Sequence, residues 1–232
     1  MSAASGLLPE LALFALTDTH RLVSAIHPVS GILDLLSSPE DLEAVLELER
    51  WTDDRISNEL GILLRLPRGE WVTGVPHAQV IMGAFCHPAP AGGRFNDGTR
   101  GAWYAAANLE TAHAEAIHRR VQALAEIGAF ETVLHVRLWQ ADFNGEFRDL
   151  RPTRAEFAPY YDSASYAASQ QLTRELFAVG SRGIVYRSVR RAGGVCIACW
   201  QPRSVNNVRN GGVYEYRWSG RPDPVVRAAL DA

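Results

Sequence analysis

The segment Gly92-Gly93-Arg94-Phe95-Asn96-Asp97-Gly98 sets an arginine and an asparagine inside a glycine-rich turn. Glycine lets the backbone approach a ligand closely and a guanidinium offers a planar fork of donors, so such a loop has the chemistry to hold a diphosphate. Tyr104 follows, and then Glu115 among Ala112, Ala114 and Ala116, small residues that leave room for a bulky group. A carboxylate there can stabilise an oxocarbenium-like ribose and accept a hydrogen bond from its 2-hydroxyl. Each feature also has a plain structural alternative. A surface arginine in a turn accounts for Arg94, and an i, i+4 ion pair with Arg119 accounts for Glu115.

Other chemistries fail on spacing. His113-Ala114-Glu115-Ala116-Ile117-His118 puts two histidines five apart, about 140° around a helix, where a zinc-binding pair needs i, i+4. Glu115 and His118 stand at i, i+3, but a di-iron bundle needs a second such pair and further carboxylates. Cys196 and Cys199 on a strand point to opposite faces and read as core thiols. Ser188 belongs to no nucleophile-elbow pattern. No metal site is expected.

The elements that position these residues follow from periodicity. Asn108 is a helix N-cap, Leu109 to Ile127 a long helix, and Gly128 its stop. Trp103 to Ala107 reads as a short strand before it. Thr132 to Leu138 alternates, with Leu134, Val136 and Leu138 on one face and His135 and Arg137 on the other. Ser165 to Ala178 is a further helix. Gly183 to Val189 and Val195 to Trp200 bracket Arg191-Ala192-Gly193-Gly194 as a hairpin, and Val213 to Trp218 adds a last strand.

The first third reads as helical. The apolar stretch Leu7 to Leu16 is interrupted by Pro9 and Glu10 and lacks a basic leader, so it is assigned as a helix and not a signal segment. Ser38-Pro39-Glu40-Asp41 starts another helix, Arg55 to Leu64 is an amphipathic run ended by Pro67 and Gly69, and Val75-Pro76-His77 turns into a short helix through Ile81 and Phe85. The fold class is α+β with mainly antiparallel strands, in one domain spanning residues 1–232 and including a helical region at 30–87.

Composition narrows the function. A net charge of −3 with 21% charged residues argues against a protein that coats DNA or an anionic membrane. Three cysteines and no spanning segment suit the reducing cytoplasm.

Taken in order, Gly93 to Gly98, Tyr104-Ala105-Ala106, Leu109 to Glu115 and Gly183 to Gly194 resemble the RES domain, the family named for an Arg, a Glu and a Ser. The likeness extends to Arg21-Leu22, Thr52-Asp53-Asp54-Arg55, Tyr161-Asp162, Ala168-Ser169-Gln170 and Tyr216-Arg217-Trp218, about residues 20–219 in all. Asp53 stands where Asn is expected, and Arg187 where Pro commonly precedes the Ser. The resemblance implies an ADP-ribosyltransferase-like fold, NAD+ as substrate, and a toxin restrained by an Xre-type helix-turn-helix antitoxin that inserts into the NAD+ pocket. It also implies roles: Arg94 grips phosphate, Tyr104 stacks on nicotinamide or ribose, Glu115 stabilises the reacting ribose, and Ser188 positions it. Asn96, Arg21 and Arg55 join as pocket-lining residues. Phosphate, water or a host protein side chain remains open as the acceptor.

Overall fold

The computed structural model describes residues 8–27, 29–36, 38, 40 and 66–229. Arg55, the Thr52-Asp53-Asp54-Arg55 block and the run Arg55 to Leu64 lie outside the described residues, as does most of the helix expected after Ser38. The described elements are β1 (Glu10–Ser24), α1 (Ile32–Leu35), α2 (Ala78–Cys86), β2 (Trp103–Ala106), α3 (Leu109–Ile127), β3 (Glu131–Asp149), α4 (Ala167–Ala178), β4 (Gly183–Arg187), β5 (Val195–Cys199), β6 (Asn206–Ser219) and β7 (Val225–Ala228), with 3-10 turns at Arg68–Glu70, Ala155–Tyr161 and Pro202–Ser204. The class is α+β, as expected.

One mixed sheet runs β1-β2-β5-β4-β3-β6-β7, and β1 also pairs with β3, so the first five strands close on themselves. Every ladder is antiparallel except β3 with β4, which meet only at Arg148↔Ile184 and Asp149↔Val185.

From Glu10 onward the N-terminal stretch is a strand, which corrects the helix expected over Leu7 to Leu16. Phe14 is buried while Leu13 is 80% exposed, and Ala12 and Leu16 pack with Phe14 on the core side. That period of two belongs to a strand. A short apolar run fits either periodicity, and here the pairing with β3, from Glu10↔Asp149 to Ser24↔Val136, decides.

β3 continues eleven residues past the expected end at Leu138 because a register shift against β6 falls between Arg137 and Trp139. Leu138 and Trp139 are consecutive and both buried. The irregularity swaps which face is apolar: Val136 packs beneath α3, whereas Trp139, Ala141, Phe143 and Phe147 join the core beneath α2. Simple alternation therefore ends at the bulge while the strand does not.

The two faces of the sheet carry different cores. Val185, Ile197 and Cys199 pack with Phe85 and Trp103 on one side. Ile184, Tyr186, Cys196 and Ala198 pack with Phe95, Leu172, Leu176 and Trp200 on the other. Cys196 and Cys199 thus face opposite sides as buried thiols, and burial pushes Cys199 up to about 12. α3 begins at the predicted cap, where Asn108 Oδ1 accepts from the Thr111 N–H at 2.9 Å, and ends at Gly128 in the left-handed conformation.

His20 on β1 and His113 and His118 on α3 are each held below the ordinary imidazole value of 6.5, chiefly because burial disfavours the charged ring. The unfolded chain therefore binds more protons than the fold just below pH 6.5, and stability falls as pH drops through that window. Asp142 does not contribute there, since Arg209 holds it down to about 2 and its stabilising bonds are lost only in much stronger acid. Thermal denaturation is expected to show a lower midpoint at pH 5 than at pH 7. Equal midpoints would mean that these imidazoles titrate alike in both states.

Candidate active site

Tyr104 on β2 stands opposite Ala198 on β5, and Tyr186 on β4 stands opposite Cys196. These side chains share the sheet face that packs on Phe95. Ser188 lies two residues past Tyr186, where the hairpin closes through Ser188 N–H to the Gly194 carbonyl at 2.8 Å. α3 passes over this edge and brings Glu115 to it.

The Ser188 hydroxyl donates to Glu115 Oε1 at 2.6 Å and accepts the backbone N–H groups of Arg190 and Arg191 at 3.1 and 3.0 Å. A hydroxyl has one hydrogen and two lone pairs, so the two incoming amides fix that hydrogen on the carboxylate. Ser188 thereby orients Glu115. The predicted alternative for Glu115 is not what forms: among the described residues no ion pair joins it to Arg119, and its second oxygen has no partner.

Arg94 is 93% buried by its low exposure of 7%. Its Nη1 donates to the carbonyls of Tyr160 and Asp162 at 3.0 and 2.7 Å, and its guanidinium lies 4.8 Å over the Tyr166 ring. The loop that carries it is tightly built. Gly92 has φ +72°, and a Cβ there would collide with the Asn96 carbonyl oxygen. Tyr104 OH accepts the Phe95 N–H and donates to Asn96 Oδ1, each at 2.8 Å. The Asn96 amide nitrogen donates to the carbonyls of Asp97 and Arg100, both at 2.9 Å, so this side chain shapes the loop. Burial pushes the Tyr104 phenol well above its usual value, which keeps it neutral and able to donate.

Arg21 reaches from β1 to the Tyr104 carbonyl at 3.2 Å and lies 4.9 Å over the Trp103 ring. Burial, followed by the nearby charge of Arg119, pulls its guanidinium down to about 9, so it remains cationic at neutral pH. No carboxylate pairs with it among the described residues. The field of Arg119 also reaches Tyr104, and the His118 ring senses Arg190, Glu115, Arg94 and Arg119 together. Arg94, Arg119 and Arg190 thus share with Glu115 the electrostatic surroundings of His118, an excess of positive charge suited to an anionic ligand with its own positive centre.

The structure brings Arg94, Asn96, Tyr104, Glu115 and Ser188 into one neighbourhood, whereas Arg21 touches it only through the Tyr104 backbone carbonyl and packs on Trp103, part of the core on the other sheet face. Arg119 was legible only as a partner of Glu115, while Arg190, Tyr166 and Gln170 gave no local signal of a role, although Arg190 and Gln170 fall in the family-like blocks. His113 turns away, its Nδ1 sharing a 2.6 Å hydrogen bond with Tyr216 OH. An open depression of about 340 Å³ lies on the outer side of the same loop, lined by Asn96 and Gln170 together with Asp97, Arg100, Arg174 and Phe177; neither Glu115 nor Ser188 lines it.

The sequence matches the family model of the RES domain over residues 62–219, and the chain belongs to that family. It is 26% identical over 220 residues to "Uncharacterized protein y4oC" of Sinorhizobium fredii (strain NBRC 101917 / NGR234), covering 93% of this chain and 89% of the relative. Among solved structures it is similar to a chain in the crystal structure of the M. tuberculosis MbcT-MbcA toxin-antitoxin complex, with TM-score 0.45, 13% identity and coverage of 85% of this chain and 86% of that one.

Ser188→Ala should leave the fold intact while removing the shared partner of two amides and one carboxylate oxygen. The expected loss is about 1–2 kcal/mol in urea denaturation, in the range for a part-buried hydrogen bond to a charged group. Stability within error of wild type would show that water replaces the hydroxyl without cost and that the bond does not hold Glu115.

Proposed function

We propose that this protein binds NAD+ and cleaves its nicotinamide–ribose bond, as the toxin of a type II toxin-antitoxin module. The observation that carries the reading is a single carboxylate, Glu115, fixed through one oxygen by Ser188 and sharing its surroundings at His118 with Arg94, Arg119 and Arg190. NAD+ combines a diphosphate with a cationic nicotinamide ribose, and the two match the two signs of charge in this site. Arg94, with Arg21 and Arg119, supplies the cationic surroundings for the diphosphate. The free oxygen of Glu115 faces the ribose and accepts from its 2-hydroxyl.

Nicotinamide leaves as a neutral ring, so departure needs no proton. The barrier lies in the positive charge that grows on the ribose, and a carboxylate preorganised outside bulk water lowers it. Tyr104 contributes by holding the Arg94 loop and offering its ring to the ligand. Phosphate, water or a protein side chain then takes the ADP-ribosyl group, giving a phosphorylase, a glycohydrolase or an ADP-ribosyltransferase. The family likeness supports the toxin role and restraint by an Xre-type helix-turn-helix antitoxin. An arginine-lined pocket favours inhibition by a carboxylate on an inserted segment of that partner.

The direct test is nicotinamide release from NAD+ by purified protein, with and without phosphate. Release is expected, and its absence in every condition would leave a non-catalytic nucleotide-binding module. Glu115→Gln keeps the shape but loses the charge, so kcat should fall on the order of 10²-fold or more with KM changed much less. Expression of wild type should arrest growth and Glu115→Gln should relieve it. Equal kcat in both proteins would remove Glu115 from the reaction.

Arg94→Lys retains charge but cannot satisfy two carbonyls and a ligand with one planar fork. NAD+ affinity should drop on the order of tenfold, measured by titration in the Glu115→Gln background to prevent turnover. Unchanged affinity there would detach Arg94 from ligand binding.

A further inference from the structure

The loop carrying Arg94 and helix α4 are joined from both directions. Arg94 reaches out of the loop to the Tyr160 and Asp162 carbonyls and to the Tyr166 ring, all in the segment that leads into α4. Gln170, one turn into α4, reaches back. Its Nε2 lies 3.0 Å from the Ala91 carbonyl, 3.0 Å from that of Gly93 and 3.2 Å from that of Asn96.

One amide group has two hydrogens, so three carbonyls converging on it include a shared bond. Such convergence requires the loop to fold back on itself, and it does: the Gly93 N–H donates to the Asn96 carbonyl at 2.9 Å, with Gly92 in the left-handed conformation at the bend. Glu at position 170 has the same shape but presents only acceptors, and would face three carbonyl oxygens with like partial charge.

We propose that Gln170 is a positioning residue for the reaction: its amide locks residues 91–96 in the one conformation that aims Arg94 at the anionic part of the ligand. It touches neither the ligand nor Glu115 and acts through Arg94. The inference rests on the NAD+ reading for the ligand's identity, while the clasp itself is independent of it. Tyr104 and Trp200 hold Phe95, the latter through Nε1 to the Phe95 carbonyl at 2.7 Å, so the centre of the loop stays anchored when Gln170 is changed. The effect of substitution is therefore confined to the flanks of Arg94.

The test uses the full chain with Gln170→Glu and, because a carboxylate against carbonyls can impair folding, the neutral Gln170→Met. Two readouts are taken. Backbone hydrogen exchange should quicken at Gly92 and Gly93, whose N–H groups bond within the loop, in both variants and stay unchanged at Phe95, in α3 and in the sheet. With NAD+ as substrate, KM should rise on the order of tenfold while kcat stays within about threefold. In the Arg94→Lys background the same substitution should add little, since both act on one contact.

Unchanged exchange in the loop would overturn the clasp whether or not the protein turns over NAD+. Quickened exchange with unaltered KM, or effects of Gln170 and Arg94 that simply multiply, would overturn the positioning role. Exchange rising throughout the domain with kcat and KM failing together would reduce Gln170 to general structural support. A wild type that releases no nicotinamide would defeat the NAD+ reading, and the exchange result would still decide the clasp.

Discussion

The hydrogen bond from Ser188 to Glu115 ties together parts of the chain 73 residues apart, and the candidate site depends on it. Glu115 belongs to α3, whose start is fixed by the Asn108 cap directly after β2, and Ser188 belongs to the closing turn of the β4–β5 hairpin. β2 and β4 flank β5 in the sheet, so helix, hairpin and sheet edge form one rigid frame. The direction of the bond is set by the amides of Arg190 and Arg191, which fill the serine's acceptor positions. A carboxylate held this way can be aimed without a cationic partner of its own. That leaves the surrounding guanidinium groups available for a ligand.

The arginine loop obeys a complementary constraint. A buried guanidinium costs several kcal/mol unless its donors are met, and Arg94 meets part of that demand with backbone carbonyls instead of a carboxylate. Carbonyls satisfy the donors but leave the net charge uncancelled. The same holds for Arg21, which bonds the Tyr104 carbonyl and lies on Trp103. The chain thus keeps buried positive charge in place by dipoles and aromatic rings, a solution that preserves its attraction for an anion.

Much of the fold was legible where local rules act alone. The Asn108 cap, the Gly128 stop and the bounds of α3 follow from residue chemistry within a few positions, and the hairpin follows from its glycines. The N-terminal strand was not legible, because Ala12 to Leu16 fits either period and the deciding partner, β3, lies more than a hundred residues away. The far half of β3 was hidden by the register shift between Arg137 and Trp139, which inverts the alternation that marks a strand. At the site, the order of Arg94, Tyr104, Glu115 and Ser188 pointed to one family. The contacts of Gln170, Tyr166 and Arg190 were invisible, since a glutamine bonding three backbone carbonyls leaves no mark on the sequence near those carbonyls. Even the ion pair of Glu115 with Arg119 was a reasonable expectation on helical spacing, and the competing bond to Ser188 could be seen only in three dimensions.

The balance of charge bears on what such a site can hold. Arg21 is held below the ordinary guanidinium value chiefly by burial and next by the charge of Arg119, so the fold carries a cost for keeping these cations close. A ligand that supplies negative charge here would stabilise the bound state by mass action. The same argument limits the ligand. A simple polyanion would satisfy the arginines but be repelled by Glu115, whereas a molecule carrying a diphosphate at one end and a cationic, electron-poor sugar at the other meets both. On the proposed reading, the site would select on the separation of opposite charges within one ligand, a separation set by the placement of Glu115 on α3 beside the hairpin and of Arg94 in its loop.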